Sequence, residues 1–233
     1  NLTGGNGADT FTISAGNDVI ADLETNDAIV VNDSTAQVTA NNVSAFVADS
    51  GTSSTGTVII NSASGGSTIT MTDATSGIFT INGGSSGDTI TGGGDADVID
   101  GNGGDDDITG GAGDDNLTGG SGNDTFRVDS GSDTIVDLGG TSGGDSDVLI
   151  VSSGATATIS NVKSFTAGGT TANNSGTVEI TTHTDGGTIN LSSASGDFTL
   201  NGQGTIDTLT GGSGSDIIAG GGGADSLSGG TGD

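Results

Sequence analysis

The chain has 233 residues, of which 30 are acidic and only 2 are basic, so its formal net charge is −28 at neutral pH. Binding to nucleic acid or to an anionic membrane needs a basic patch, which two basic residues cannot form. Without any cysteine or any long apolar run, the sequence excludes disulfides, thiolate metal sites and a membrane-spanning helix. A cation is the partner that this charge favours.

The N-terminal part of the chain predicts short strands. A nine-residue unit at 4–12, GGNGADTFT, has Asp sixth and Phe eighth, and a DVIADL segment follows it at 18–23. Four short runs of apolar and β-branched residues predict strands at 28–31, 57–61, 67–72 and 78–82. The apolar residues expected to face inward recur every 10 or 11 positions: Val58, Ile69, Phe79 and Ile90. This recurrence predicts the coils of a β-solenoid.

Residues 83–127 consist of five nine-residue units placed end to end. They begin at Gly83, Gly92, Gly101, Gly110 and Gly119. Their sixth residues are Asp88, Asp97, Asp106, Asp115 and Asp124. Their eighth residues are Ile90, Ile99, Ile108, Leu117 and Phe126. The polar-apolar-polar tail predicts a very short strand with its middle residue buried, and the glycines predict tight turns. Two such units would close one coil, so that each Asp lies above the Asp two units later.

The stacked carboxylates would repel one another unless a metal ion lay between them. Neighbouring strands are about 4.8 Å apart, and two bare carboxylates at that distance repel by about 3 kcal/mol at an effective dielectric constant of about 20. One buried Ile or Leu contributes about 1.5–3 kcal/mol, whereas ordering nine residues costs about 9–18 kcal/mol. A calcium ion prefers oxygen ligands and would turn the repulsion into attraction. We therefore expect this segment to be disordered without calcium and folded with it.

The units resemble the calcium-binding RTX nonapeptide, G-G-x-G-x-D-x-U-x. The resemblance implies carboxylate ligands at the sixth positions: Asp9, Asp88, Asp97, Asp106, Asp115, Asp124, Asp207, Asp216 and Asp225. Carbonyl ligands are expected from the turn glycines: Gly83, Gly92, Gly101, Gly110, Gly119, Gly202, Gly211 and Gly220. The expected stacked pairs are 88/106, 97/115, 106/124 and 207/225.

Several positions depart from the pattern or add to it. Asp95, Asp105 and Asp114 are either further ligands or surface charge. Weaker candidates lie in the segments that follow a nonapeptide block: Asp18, Asp22, Asp133 and Asp137. Four substitutions at the second or fourth position are expected to weaken binding: Ser86, Asp95, Asn102 and Gln203.

A larger repeat spans the whole chain. Residues 119–126 restate 4–11, Ser132–Leu138 restates 17–23, and Asn161–Phe165 restates 42–46. The second copy gains residues near Gly139–Gly144, and nonapeptides return at 202–233. We thus predict an all-β fold, a parallel β-roll and β-solenoid, in two copies of about 119 residues. The first domain is 1–118 (solenoid 13–82, roll 83–118) and the second is 119–233 (solenoid 128–201, roll 202–233). The six phenylalanines form three matched pairs across the copies and are expected in the core: Phe11, Phe46, Phe79, Phe126, Phe165 and Phe198.

The leading functional hypothesis is a calcium-dependent structural repeat of a secreted surface or matrix protein: an adhesin shaft, an S-layer element or an extracellular filament. Similarity to RTX proteins implies type I secretion, which agrees with the lack of a basic and apolar N-terminal signal. The two ends of the chain match almost in phase, so we expect a longer periodic parent chain or end-to-end stacking of copies, with contact to a glycan or cell surface as a further partner.

An alternative is a calcium-dependent, glycan-binding R-module of a secreted polysaccharide-modifying enzyme, although the lack of Trp and Tyr counts against it. We expect no catalytic activity, because His183 is the only histidine, no H-E-x-x-H motif is present, and no nucleophile elbow supports a Ser-His-Asp triad. We predict that His183 is an ordinary surface residue with no role in catalysis.

Overall fold

The computed structural model describes residues 1–139 and 145–232. In this part of the chain, all of the regular secondary structure consists of β-strands. No described helix is long and apolar enough to cross a membrane. The chain divides into two compact units, Asn1–Asn116 and Leu117–Asp233. The predicted insertion near Gly139–Gly144 falls almost wholly outside the described residues.

The first unit contains twelve complete strands among its described residues. They are β1 (Thr10–Ile13), β2 (Asn17–Ile20), β3 (Ala28–Val31), β4 (Gln37–Val43), β5 (Ala45–Val47), β6 (Ser53–Ser54), β7 (Thr57–Ser62), β8 (Thr68–Thr70), β9 (Phe79–Asn82), β10 (Thr89–Thr91), β11 (Val98–Asp100) and β12 (Asp107–Thr109). Strands in this unit pair in the orders β1-β3-β6, β5-β8-β10-β12 and β2-β4-β7-β9-β11.

The second unit repeats this plan. After β13 (Asn116–Thr118), which contains the unit boundary, its strands are β14 (Thr125–Val128), β15 (Ser132–Ile135), β16 (Val148–Val151), β17 (Thr156–Val162), β18 (Ser164–Thr166), β19 (Ala172–Asn173), β20 (Thr177–Thr182), β21 (Thr188–Asn190), β22 (Thr199–Asn201), β23 (Thr208–Thr210), β24 (Ile217–Ala219) and β25 (Ser226–Ser228). They pair in the orders β14-β16-β19, β18-β21-β23-β25 and β15-β17-β20-β22-β24.

Parallel pairing in register builds both units. Ile90 lies opposite Ile69 and Ile108, so one inward residue of each coil stacks on the next. In the other sheet of the first unit, Ile81 is flanked by Ile60 and Ile99 in the same way. All six of these isoleucines are fully buried. The fold is thus the predicted parallel β-solenoid, because side chains alternate across each strand and the strands repeat coil after coil.

The predicted strands and core are largely confirmed. All six phenylalanines are buried, and the runs at 28–31, 57–61 and 78–82 form strands. The run at 67–72 is shorter than predicted, because β8 ends at Thr70 and the chain turns after Met71, whose carbonyl accepts the N–H of Ala74. The strands β4 and β5 were not predicted from the sequence.

Candidate metal centre

The nonapeptide aspartates lie under the turns and point inward. Each precedes a strand of three or four residues, and residues two apart on a strand share a face, so the sixth and eighth positions lie on the same side of the strand. Six of the nine sixth-position aspartates are almost wholly buried: Asp88, Asp97, Asp106, Asp115, Asp124 and Asp207. The other three are intermediate: Asp9, Asp216 and Asp225.

A ladder of hydrogen bonds connects each carboxylate to the coil before it. The backbone N–H of Asp88 donates to Asp106 Oδ1 at 2.7 Å, and that of Asp97 donates to Asp115 Oδ1 at 2.7 Å. In the second unit the N–H of Asp207 donates to Asp225 Oδ1 at 3.0 Å. The predicted pairs 88/106, 97/115 and 207/225 are therefore brought together, by direct contact between the backbone of one Asp and the side chain of the next.

The second oxygen of the carboxylate is held by its own turn. Asp88 Oδ2 accepts the N–H of Gly84 at 2.6 Å, and Asp97 Oδ2 accepts that of Gly93 at 2.6 Å. In the degenerate turn at 202–210 the N–H of Gln203 makes the same bond to Asp207, at 2.9 Å. Because the donor is the backbone, the substitution by Gln203 leaves this contact intact.

The first glycine of a unit is required by a close approach rather than by its torsion angle. A β-carbon on Gly83 would overlap the carbonyl oxygen of Gly101 and would lie 2.8 Å from Asp88 Oδ2. On Gly202 it would overlap the Gly220 oxygen and lie 2.8 Å from Asp207 Oδ2. A carbonyl oxygen of one coil and a carboxylate oxygen of another thus meet beside each of these glycines. Similar overlaps with the neighbouring glycine carbonyl, the unit's own Asp, or both occur at Gly92, Gly110, Gly119, Gly211 and Gly220.

Positive φ angles belong to the second and fourth positions of the turn. In the unit at 110–118, Gly111 has φ 100° and Gly113 has φ 118°. Asn102 replaces the second glycine of its unit but still adopts φ 65°, a region that Asn tolerates. Ser86 and Asp95 do not adopt a positive φ. Of the four substitutions, Asn102 therefore keeps the backbone of the consensus turn, whereas the turns with Ser86 and Asp95 take another conformation.

The three extra aspartates, Asp95, Asp105 and Asp114, are all exposed, unlike the sixth-position residues beside them. Asp95 Oδ2 accepts the N–H of Gly77 at 2.8 Å, which joins its turn to the preceding coil on that side. Their exposure favours surface charge, the second of the two roles that the sequence left open.

Two aspartates that sequence reasoning did not select extend the ladder. Asp27 is fully buried, and its Oδ1 accepts the N–H of Asp9 at 3.1 Å. Asp147 is 2% exposed, and its Oδ1 accepts the N–H of Asp124 at 2.9 Å. Asp27 follows Asp9 by the two-unit spacing of 18 residues, a signal that was available in the sequence. The insertion in the second copy stretches the matching interval to 23 residues.

The weaker candidates divide into two kinds. Asp22 accepts the N–H groups of Gly4 and Gly5 at 3.0 Å each, and Asp137 accepts those of Gly119 and Gly120 at 2.9 and 2.7 Å. They cap the glycine pair that opens a nonapeptide. Asp18 and Asp133 lie instead on β2 and β15, in register with Val38 and Ala157 on the inward face.

Burial opposes ionisation of several ladder carboxylates. Loss of hydration raises the pKa of Asp97 to about 6, against the lowering effect of the Gly93 and Phe79 N–H donors, and the charges of Asp115 and Asp95 add to the rise. Burial also raises the pKa values of Asp115 and Asp147 above their usual range. A bound cation would offset this cost.

The donor set fits calcium. In the described residues, no three carboxylate or histidine side chains converge on one metal position. An ion here would therefore take part of its shell from backbone oxygens, which calcium accepts readily and which the glycine carbonyls beside Asp88 and Asp207 supply. Asp9 adds a buried Oδ2 with no hydrogen-bond partner among the described residues. Bound calcium would supply the positive charge that these oxygens lack.

Comparison with known families decides the assignment. The model of the RTX calcium-binding nonapeptide repeat matches four segments, residues 1–29, 80–108, 100–135 and 201–233, which together cover about half of the chain. The chain belongs to the RTX calcium-binding repeat family. No curated protein and no solved structure matches it. This RTX chain is a calcium-binding structural repeat built as a β-solenoid.

Proposed function

We propose that this RTX chain is a structural segment of a secreted surface or matrix protein that folds and stiffens when it binds extracellular calcium. The observation that carries the proposal is the ladder of buried carboxylates beside glycine carbonyls. It places negative charge in the interior, where only a cation can compensate it.

The charge of the chain suits a switch between two compartments. At the low calcium concentration inside a cell, the −28 charge and the buried aspartates favour an expanded chain that is suited to export. At the millimolar calcium concentration outside, binding to the folded state alone would add about 2.7 kcal/mol for each site held at 100 times its Kd. The family resemblance supports type I secretion as the route.

We further propose a mechanical role rather than a catalytic one. Parallel coils stacked in register give a regular element whose length grows with repeat number, which suits an adhesin shaft, an S-layer or a filament. A longer parent chain or end-to-end contact between copies would extend it, and a glycan or cell surface is the partner that such a segment would reach.

A calcium titration of the chelated protein tests this function. We would follow far-UV circular dichroism and particle size by light scattering, with magnesium as the control ion and negative-stain images at both endpoints. Compaction and a gain of β-structure with calcium alone are expected, and growth into filaments or sheets would identify end-to-end assembly. An unchanged spectrum and radius at millimolar calcium would refute calcium-dependent folding.

A further inference from the structure

The second unit contains a cavity that collects the chain's only lysine and only histidine. It has a volume of about 240 Å³ and is lined by Val136, Asp137, Leu138, Asn161, Val162, Lys163 and His183. An engineered cavity of about 150 Å³ accommodates benzene, so this space can hold a small organic molecule. Nothing in calcium binding uses these two side chains.

The first unit provides the same backbone with different side chains. The N–H of His183 donates to the Val162 carbonyl at 2.9 Å, and the N–H of Ala63 donates to the Val43 carbonyl at the same distance. Asn161 (φ 71°) turns the corner in one unit, as Asn42 (φ 60°) does in the other. His183 thus stands where the first unit has Ala63.

The repeat alignment identifies the other wall residues in the same way. Lys163 corresponds to Ser44, and Val136 corresponds to Ala21. Asp137 corresponds to Asp22, and both accept the paired glycine N–H groups of a nonapeptide. The scaffold of the cavity is therefore shared, whereas the residues that differ add a cation, an imidazole and a larger apolar wall.

The cavity combines two donor side chains, Lys163 and His183, with the carboxylate of Asp137. No carboxylate among the described residues lies within 4.0 Å of the Lys163 ammonium, although the chain has 30 acidic residues. His183 Nδ1 accepts the N–H of Asp185 at 3.0 Å, so the neutral ring carries its proton on Nε2 and can donate from there. Both oxygens of Asp137 already accept backbone N–H groups.

From this geometry we infer that the cavity of the second unit binds a small carboxylate with a short apolar tail. The Lys163 ammonium and the His183 Nε2–H supply charge-assisted and neutral hydrogen bonds to the carboxylate. The side chain of Val136, which is about half exposed, contacts the tail.

Titration of the calcium-loaded, ¹⁵N-labelled chain with acetate, propionate and butyrate tests the inference, with sodium chloride at matched ionic strength as the control. Saturable NMR shifts at the Val162 and His183 amides, with a Kd of about 1 mM, are expected for ligands of four to six heavy atoms. Equal shifts with chloride, or no saturable shift with any of the acids, would overturn it.

The test variants take their replacement residues from the matching positions of the first unit. Lys163→Ser and His183→Ala install the residues that the first unit has at these positions, so neither should disturb the fold, which unchanged amide shifts in strands β22 to β25 of the same unit would verify. Lys163→Ser should weaken binding about tenfold or more. The double variant Ser44→Lys/Ala63→His should gain saturable shifts at Val43. Unchanged affinity in Lys163→Ser would refute the role of the ammonium.

Discussion

Two regions of the first unit share the same parallel strand pairing but bury different side chains. The wide coils, residues 28–82, bury a dense apolar core that includes Ile29, Val31, Val38, Val43, Phe46, Val58, Ile60, Ile69, Met71, Phe79 and Ile81. The nonapeptide coils, residues 83–116, bury one isoleucine for each strand, Ile90, Ile99 and Ile108, together with four carboxylates. Hydrophobic burial can hold the wide coils, whereas the nonapeptide coils depend on what neutralises their aspartates.

Removing calcium should separate the two regions most strongly. In chelator, we expect the amides of β10, β11 and β12 to lose protection from hydrogen exchange about 100-fold or more, because binding at 100 times Kd stabilises by about 2.7 kcal/mol per site. Amides of β4, β7 and β9 should lose much less. Exchange measured by mass spectrometry with and without calcium checks this, and equal losses in both regions would contradict the comparison.

Alanine at a first-position glycine should have the next largest effect. Gly92→Ala places a β-carbon over the Gly110 carbonyl and 2.7 Å from Asp97 Oδ2, so we expect a loss of about 1–3 kcal/mol in unfolding free energy and weaker calcium binding. Gly94→Ala is the matched control, because its β-carbon would meet nothing within 4 Å. Urea unfolding in calcium measures both. Equal stability of the two variants would show that the close approach does not matter.

Protonation of the buried carboxylates should partly replace calcium, so that the calcium-free nonapeptide coils gain stability at low pH. The folded state holds the Asp97 proton up to about pH 6, whereas the unfolded chain releases it near 3.8. The folded state therefore binds more protons in this window, so its stability is highest below pH 4 and falls as the pH rises through 6. The shift corresponds to a loss on the order of 2–3 kcal/mol.

Asp97→Asn should flatten this pH dependence and weaken calcium binding, because the amide keeps one acceptor oxygen but has no charge. Asp105→Asn, at an exposed position, should change neither. Thermal unfolding in chelator between pH 4 and 7.5, paired with calcium titrations at pH 7.5, gives both quantities. If stability depended on pH equally in the wild type and in Asp97→Asn, Asp97 would not be the cause of that dependence.

The smallest effect is expected in a side-chain ladder of the wide coils. Asn61 donates to Asn41 Oδ1 at 2.7 Å and accepts from Asn82 Nδ2 at 2.7 Å. Asn61→Ala should lower the free energy of unfolding by about 1–2 kcal/mol. The loss should be the same with and without calcium, because no carboxylate takes part in this ladder. Unfolding curves in both conditions check this, and a calcium-dependent cost would show that the two regions are coupled.

Much of the fold could be predicted from local pattern. The nine-residue period determined that Asp88 and Ile90 face inward together, because a three-residue strand alternates its side chains whatever surrounds it. The strands β4 and β5 were missed although Gln37–Ala40 alternates polar and apolar residues, and the corner between the two strands depends on Asn42 at φ 60°. The apolar spacing that predicts a coil contains no signal for such a corner.

The remaining contacts of the candidate site depend on how the coils stack. By itself the sequence determined that the chain is acidic, repetitive and built from calcium-binding nonapeptides, because each unit carries its glycines and its Asp within nine residues. The tertiary structure decided that Asp27 and Asp147 join the ladder, that Asp95, Asp105 and Asp114 stay outside it, and that Lys163 meets His183 at one cavity. These contacts join residues 18 to 23 positions apart. The two-unit spacing encodes the contact between Asp9 and Asp27, but no local pattern encodes the others.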